Sequence, residues 1–446
     1  MPESGGPDSM GRMAEIDGTL KQSAGPGRMA WLIVALLAPV ALLNYLDRQM
    51  LAAMKTSVMT EIGDISSDAN WGRMLGEFKW VYAVLSPVGG YIADRFSRRV
   101  TICGSLFAWS AITWWTGHVQ SYEELLTARR LMGVSEAFYI PAALALIADY
   151  HTGSTRSRAV SLHQMGIYCG VIIGGFSGYA ADSPTLGWRW AFDACGIAGM
   201  LYAVPLLWKL RDAPRPPAAV CTNNPSNDGG VESSRFDSPL ASVRALLGNG
   251  SFILLVLCFT LPALAAWIVR DWMPAILKTE FHIGQGKAGV SATLYWQLAA
   301  IAGAFGGGWL ADRWTRRNPR GRLFVSALGM ALIVPALFGV GYSPATGQLW
   351  VAVAFLILFG LGWGFFDTNN MPILCQITRP RHRATGYGIM NLVSISAGGL
   401  ADWGFGILRD QRVPLAGIFS IFASAAMVSV VLVLMIKPRF SETGPD

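Results

Sequence analysis

Asn44, Asp47 and Arg48 stand at i, i+3 and i+4 within an apolar run that begins near Met29, so they share one helical face. An acid beside a base in hydrocarbon is expensive, and the pairing suits anion binding or proton exchange better than packing. A second stripe, Arg129, Gly133 and Glu136 at i, i+4 and i+7, lies in another apolar run. Gly133 lets a neighbouring backbone approach. A carboxyl held between apolar walls and an arginine can take up and release a proton as its surroundings change.

Among the 35 Lys and Arg, only Arg48, Lys79, Arg129, Arg130 and Arg270 fall inside apolar runs. Lys79 could give a cavity its third cation or snorkel outward beside Glu77; Arg130, off the Arg129 stripe, is expected to snorkel. In the second half, Arg270-Asp271 repeats the Asp47-Arg48 pair in reverse order, with Trp272, Trp296 and Gln297 near in sequence. Asp367-Thr368-Asn369-Asn370-Met371-Pro372 and Asn391 add amides and an acid. Pro372 withholds a backbone donor and should break its helix, leaving a polar surface suited to hydroxyl groups. Each Asn taken singly could equally be an interhelical hydrogen bond.

Such residues need membrane helices to position them. The chain is 52% hydrophobic and 14% charged, with 50 Gly and 17 Trp, too apolar for a soluble protein and rich in the small residue that lets membrane helices pack. Runs long enough to cross a bilayer, about 20 residues each, fall near 29–53, 73–95, 99–118, 123–148, 157–180 and 188–209. A second set falls near 250–278, 287–312, 322–342, 347–377, 384–408 and 413–436. The spacing predicts a tail (1–28), a first bundle (29–209), a polar linker (210–249) with a short helix near Pro239–Leu247, a second bundle (250–437) and a tail (438–446). Most Lys and Arg lie in the tails, linker and alternate loops, which are expected to be cytoplasmic. The +7 net charge then reports topology, not a nucleic-acid partner. The six cysteines lack metal or disulfide spacing and read as structural thiols. No cofactor or metal is expected.

Gly90-Tyr91-Ile92-Ala93-Asp94-Arg95-Phe96-Ser97-Arg98-Arg99 reappears as Gly308-Trp309-Leu310-Ala311-Asp312-Arg313-Trp314-Thr315-Arg316-Arg317. The pattern resembles the loop 2–3 motif of the major facilitator superfamily, which implies an all-α integral membrane fold of twelve transmembrane helices in two pseudo-symmetric six-helix bundles. Asp94, Arg95, Arg98, Asp312, Arg313 and Arg316 are expected to form conformational latches through charge pairs. The Gly170, Gly174, Gly178 stripe is expected to pack helices.

Asn-Tyr-x-Asp-Arg at 44–48, Arg-x-x-x-Gly-x-x-Glu-Ala-x-Tyr-x-Pro-Ala-Ala at 129–143, and Gly187-Trp188-Arg189 resemble two branches of that superfamily. One is the anion:cation symporter family, which takes up sugar acids; the other is spinster-like and handles lysolipids. The resemblance implies that Asp47 and Glu136 carry protons and that Arg48 and Arg129 are their partners. The expected substrate-binding set is Tyr45, Arg48, Lys79, Arg129, Arg270, Gln297, Asn369, Asn370 and Asn391. An excess of cavity cations favours proton-coupled uptake of a small organic anion such as a sugar acid, through a bacterial inner membrane, by a monomer. The alternative is a lysolipid or another amphipathic molecule. Neither a nucleophile–base set nor a phosphate loop appears (Ala288 follows Gly286-Lys287 where a hydroxyl would be needed), so an enzyme or ATP-driven pump is not expected.

Overall fold

In hydrocarbon the backbone must satisfy its own hydrogen bonds, and long apolar runs do so as helices. The computed structural model describes residues 27–151, 154–213, 239–379 and 382–438, and their repetitive structure is helical. The N-terminal half holds α1 (Arg28–Ala53), α2 (Lys55–Glu61), α3 (Asp68–Arg95), α4 (Arg98–Thr116), α5 (Tyr122–Glu136), α6 (Tyr139–Tyr150), α7 (Ser154–Asp182) and α8 (Gly187–Lys209). After α9 (Pro239–Leu247) come α10 (Gly250–Asp271), α11 (Met273–Phe281), α12 (Gln285–Thr315), α13 (Gly321–Tyr342), α14 (Leu349–Asp367), α15 (Asn370–Ile377), α16 (Arg383–Asp410) and α17 (Leu415–Met435). Most of the expected linker lies outside the described residues.

Two spans are broken in the same way. Glu136 is the last residue of α5 and Asp367 the last of α14; after two intervening residues a new helix starts, with Pro141 or Pro372 in its first turn. A first-turn proline needs no intrahelical donor. The break therefore falls before Pro372, not at it, and each half sets one carboxylate at a mid-span break.

Each half is a six-span bundle. In the first, α1 lies along α7, where a Cβ at Gly170 would stand 2.2 Å from the Leu42 carbonyl. In the second, α12 lies along α14, where a Cβ at Gly360 would stand 2.2 Å from the Trp296 carbonyl. The bundles meet along two seams, α3 against α16 and α7 against α12. The expected glycine stripe divides its work: Gly170 and Gly174 face α1, and Gly178 faces Gln285 of α12.

The α3–α16 seam closes at one end only. Along it, Gly406 meets Asp68, Gly72 meets Asp402, Gly76 meets Gly399, and Trp80 Nε1 donates to the Ser396 carbonyl at 3.0 Å. Continued along the antiparallel pair, that register sets Pro87 near Gly388. There Pro87 is exposed, and a Cβ on Gly388 or Gly90 would meet nothing within 4 Å. The core divides likewise. At the closed end Met54, Trp71, Trp272, Leu277 and Phe405 belong to one apolar cluster spanning both bundles. Toward the open end each bundle has its own.

The closed end carries a cross-seam cap on each side. The Asp410 carboxylate, at the end of α16, accepts from the backbone N–H groups of Asp68 and Ala69 at 2.9 Å each, the start of α3. Asp182, at the end of α7, accepts from the backbone N–H of Gly286 at 2.9 Å and from Gln285 Nε2 at 3.3 Å, the start of α12. A carboxylate capping a helix N-terminus contributes about 0.5–2 kcal/mol. Asp182→Ala and Asp410→Ala should each weaken closure by about that much. In the double variant the effects should add, read as faster labelling of cysteines placed along the closed ends of the seams.

Candidate functional site

The first charge cluster joins α1, α3, α4 and α5. Arg48 Nε donates to Glu136 Oε2 at 2.7 Å, and a second guanidinium nitrogen completes the ion pair with that oxygen. Its guanidinium carbon lies 4.9 Å from the Tyr45 ring centroid, 4.7 Å from Phe78 and 5.0 Å from Tyr82. Arg129 lies 4.6 Å from the same Phe78 ring, so one aromatic side chain serves two guanidiniums. Asp47 accepts from Thr113 Oγ1 at 3.1 Å, and its other oxygen has no hydrogen-bond partner among the described residues. Glu136 and Asp47 are 0% and 1% exposed, so bulk water does not reach them in this state. Two acids and two arginines balance in charge, within electrostatic range of one another.

Arg129 departs from the simplest pairing. It is buried, donates to Met132 Sδ at 3.0 Å, and forms no ion pair within 4 Å among the described residues. Its charge is held by the field of Asp47 and Glu136 and by Phe78.

The second group faces the space between the bundles. Arg270 lies 5.7 Å from the Tyr45 centroid and 5.1 Å from Trp267, with no carboxylate within 4 Å among the described residues and its Nε unbonded. The Arg270 carbonyl accepts from Gln49 Nε2 at 3.1 Å, which ties α10 to α1. Asp367 is accessible although it stands at a mid-span break, bonds Asn370 Nδ2 at 3.4 Å, and feels Arg270. Tyr168 lies within electrostatic range of Asp367, Arg270 and Tyr45, and Tyr387 is hydrogen-bonded to Asn391. Water-accessible polar groups from α1, α7, α10, α14 and α16 therefore converge on one cavity.

A family model described as Major Facilitator Superfamily matches residues 37–401. The chain belongs to the Major Facilitator Superfamily. Protein spinster homolog 1 of Bos taurus is 29% identical over 421 residues, covering 87% of this chain and 76% of that one. The sphingosine-1-phosphate transporter SPNS2 of Mus musculus is 27% identical over 377 residues, covering 81% and 66%. Among solved structures, a bacterial homolog of the human lysosomal transporter spinster, inward-facing and unoccupied, superposes with a TM-score of 0.71 at 20% identity, covering 92% and 96%. A D-xylose–proton symporter also gives 0.71, at 16% identity, covering 92% and 98%. The protein is thus a multi-pass integral membrane transporter of this superfamily.

In this facilitator the residues singled out in the sequence divide between several places. Tyr45, Arg48, Asp47, Arg129 and Glu136 come together, while Arg270 and Asn391 line the cavity with Asp367, and Asn370 is buried behind Asp367. Gln297 and Asn369 are buried, each with a carbonyl oxygen that has no hydrogen-bond partner among the described residues, and the Asn369 amide donates to the Phe365 carbonyl at 2.9 Å. Lys79 does not face the cavity as a free cation; Asp271 and Asp402 of the other bundle hold it. Arg130 meets Glu77 through two bonds of 3.1 Å.

Among the described residues, the repeated loop motifs form pairs within their own halves in this state. Arg98 pairs with Asp149, Asp312 with Arg322 at 3.1 Å, Arg95 donates to Tyr91 at 3.3 Å, and Arg313 stacks on Trp309. Arg316 caps the end of α12, and the Asp94 side chain lies outside the described residues. At the closed end, Trp188 Nε1 and Arg189 Nε each donate to Glu61 at 2.6 Å. Partial burial disfavours ionisation of Glu61, but these bonds outweigh it and hold its carboxyl below the usual range.

Asp402, Trp267 and Thr113 were not picked out from sequence. Asp402 had a signal, a carboxylate inside an apolar glycine-rich run.

Proposed function

We propose that this protein is a proton-coupled carrier of an anionic amphiphile, such as a single-chain lipid with a phosphate headgroup, working by alternating access. The observation that carries the reading is Arg270, a cation with no carboxylate within 4 Å among the described residues, set among Tyr45, Trp267 and Tyr168 in a cavity beside a seam that parts at Pro87 and Gly388. A guanidinium with free donors holds phosphate or carboxylate, aromatic rings take an apolar stem, and a parted seam gives a long chain somewhere to lie. The likeness to spinster proteins, one named for sphingosine-1-phosphate, supports the same choice.

A sugar acid, favoured by residue types alone, is the second reading; Asp367 and Asn391 are the accessible groups that would meet its hydroxyls. The open end is the cytoplasmic one if basic loops set topology, which makes this an inward-open state with both termini inside.

The full chain in lipid nanodiscs should bind sphingosine-1-phosphate at least about tenfold more tightly than sphingosine. Arg270→Gln should remove that preference, a loss of about 1.5–3 kcal/mol for a charge-assisted contact. Displacement by gluconate at equal concentration, with no binding of the lipid phosphate, would overturn the amphiphile reading.

A further inference from the structure

Lys79 belongs to the N-terminal bundle and both of its carboxylate partners to the C-terminal one. Its ammonium lies 2.5 Å from Asp271 Oδ2, pairs with Asp402 Oδ2, and stands 4.2 Å from the Trp267 ring centroid. Lys79 is 4% exposed, Asp271 9% and Asp402 0%. One cation thus faces two acids, and Asp402 Oδ1 has no hydrogen bond among the described residues. Arg270 shares the Trp267 ring with Lys79 at 5.1 Å, and neither it nor any other nearby cation besides Lys79 forms an ion pair with the two carboxylates among the described residues. The Trp272 indole N–H is within reach of Asp402, Arg129 lies in electrostatic range of Asp271, and Lys55 above Trp272 is already held by Asp68.

The triad sits where α3 closes on α16, so opening this end draws Lys79 away from both carboxylates at once. Two adjacent unpaired carboxylates repel each other, and that repulsion raises their affinity for a cation small enough to replace the ammonium. We propose that Asp271 and Asp402 form a proton site that Lys79 occupies while the seam is closed. Opening lets one proton from the solution at this end form an O–H bond on the pair; closure returns the ammonium and releases that proton to the same solution. Acid on this side thereby favours the state open to it. The site is separate from Asp47 and Glu136 and does not depend on which substrate is carried.

Spin labels on cysteines at exposed Asp64 and Gln411, one on each bundle, report the opening of this end in the full chain with its native cysteines replaced. Between about pH 8 and about pH 5 the population with the longer distance should rise at least roughly fivefold. In Asp271→Asn/Asp402→Asn that dependence should shrink to what Asp47 and Glu136 contribute. Lys79→Leu should reverse it, because closure without the ammonium buries two carboxylates unless acid has neutralised them. Should Lys79→Leu fail to fold, the exchange Lys79→Asp/Asp402→Lys keeps both charge signs and should retain the original direction. An undiminished pH response in the double Asn variant, a Lys79→Leu response of the original sign, or a response to sodium at fixed pH would each overturn the proposal. A distance that never changes under any condition would instead count against alternating access at this seam.

Discussion

Asp47→Asn and Glu136→Gln are expected to abolish accumulation of substrate driven by a pH gradient, while exchange of labelled for unlabelled substrate continues. Net uphill transport requires a proton to be bound on one side and released on the other; exchange requires only that the loaded carrier reorient. Both carboxylates are sealed from water here, and each retains an oxygen without a hydrogen bond among the described residues, where a proton would sit. The two substitutions differ in what they leave behind. Glu136→Gln leaves Arg48 buried beside a neutral amide, and removing one partner of a buried pair costs about 3–5 kcal/mol. That variant should therefore also unfold at lower temperature. Asp47→Asn is milder, because an amide oxygen can still accept from Thr113 Oγ1. Purified variants in liposomes, with uphill uptake and counterflow measured side by side, separate coupling from folding. Retained accumulation in Asp47→Asn would remove Asp47 from the coupling path, and retained accumulation in both would remove the cluster.

Much of this arrangement is legible in the sequence for a physical reason. Charges in hydrocarbon are costly enough that Asp47, Arg48, Arg129 and Glu136 announce themselves, and i, i+4 spacing fixes their faces. Apolar runs of bilayer length likewise give the spans. Partner choice was less accessible. Lys79 reads as a spare cation because its acids lie far along the chain in the other half, and only the crossing of α3 with α16 and α10 brings them together. The break expected at Pro372 falls just upstream of it, since a proline interrupts the ladder by taking a first-turn position, and the matching break before Pro141 is not read from the sequence at all. Latching by charge was anticipated at the arginine-rich loops. Among the described residues those pairs stay within each half in this state, and the Asp182 and Asp410 caps are among the bonds that cross the seams toward the other end. An aspartate at a helix C-terminus gives no hint that it caps a different helix.

The seam glycines carry the second large effect. At Gly72 a Cβ would stand 2.2 Å from the Asp402 carbonyl oxygen, and at Gly406 2.2 Å from that of Asp68. On the other seam, a Cβ at Gly289 would stand 2.2 Å from the Gly175 carbonyl. These neighbours are backbone atoms of helices in the opposite bundle, so no side chain can turn aside; the bundles themselves must separate. When the seam is open the same methyl group meets little, so the substitution penalises one state of the transport cycle and leaves the helix intact. Overpacking of this kind costs about 1–3 kcal/mol, which corresponds to a shift of about 5–150-fold between the two states. Gly72→Ala, Gly406→Ala and Gly289→Ala should each hold the carrier open at the end that is closed here, and a larger Gly72→Val should do so nearly completely. Cysteines placed along that end should label faster, those along the opposite end more slowly, and turnover should fall while thermal stability changes little. The comparison substitution is Gly388→Ala, where a Cβ meets nothing within 4 Å. It should leave this end closed, and an equal shift from Gly388→Ala would mean that helix flexibility, not contact across the seam, sets the balance between states.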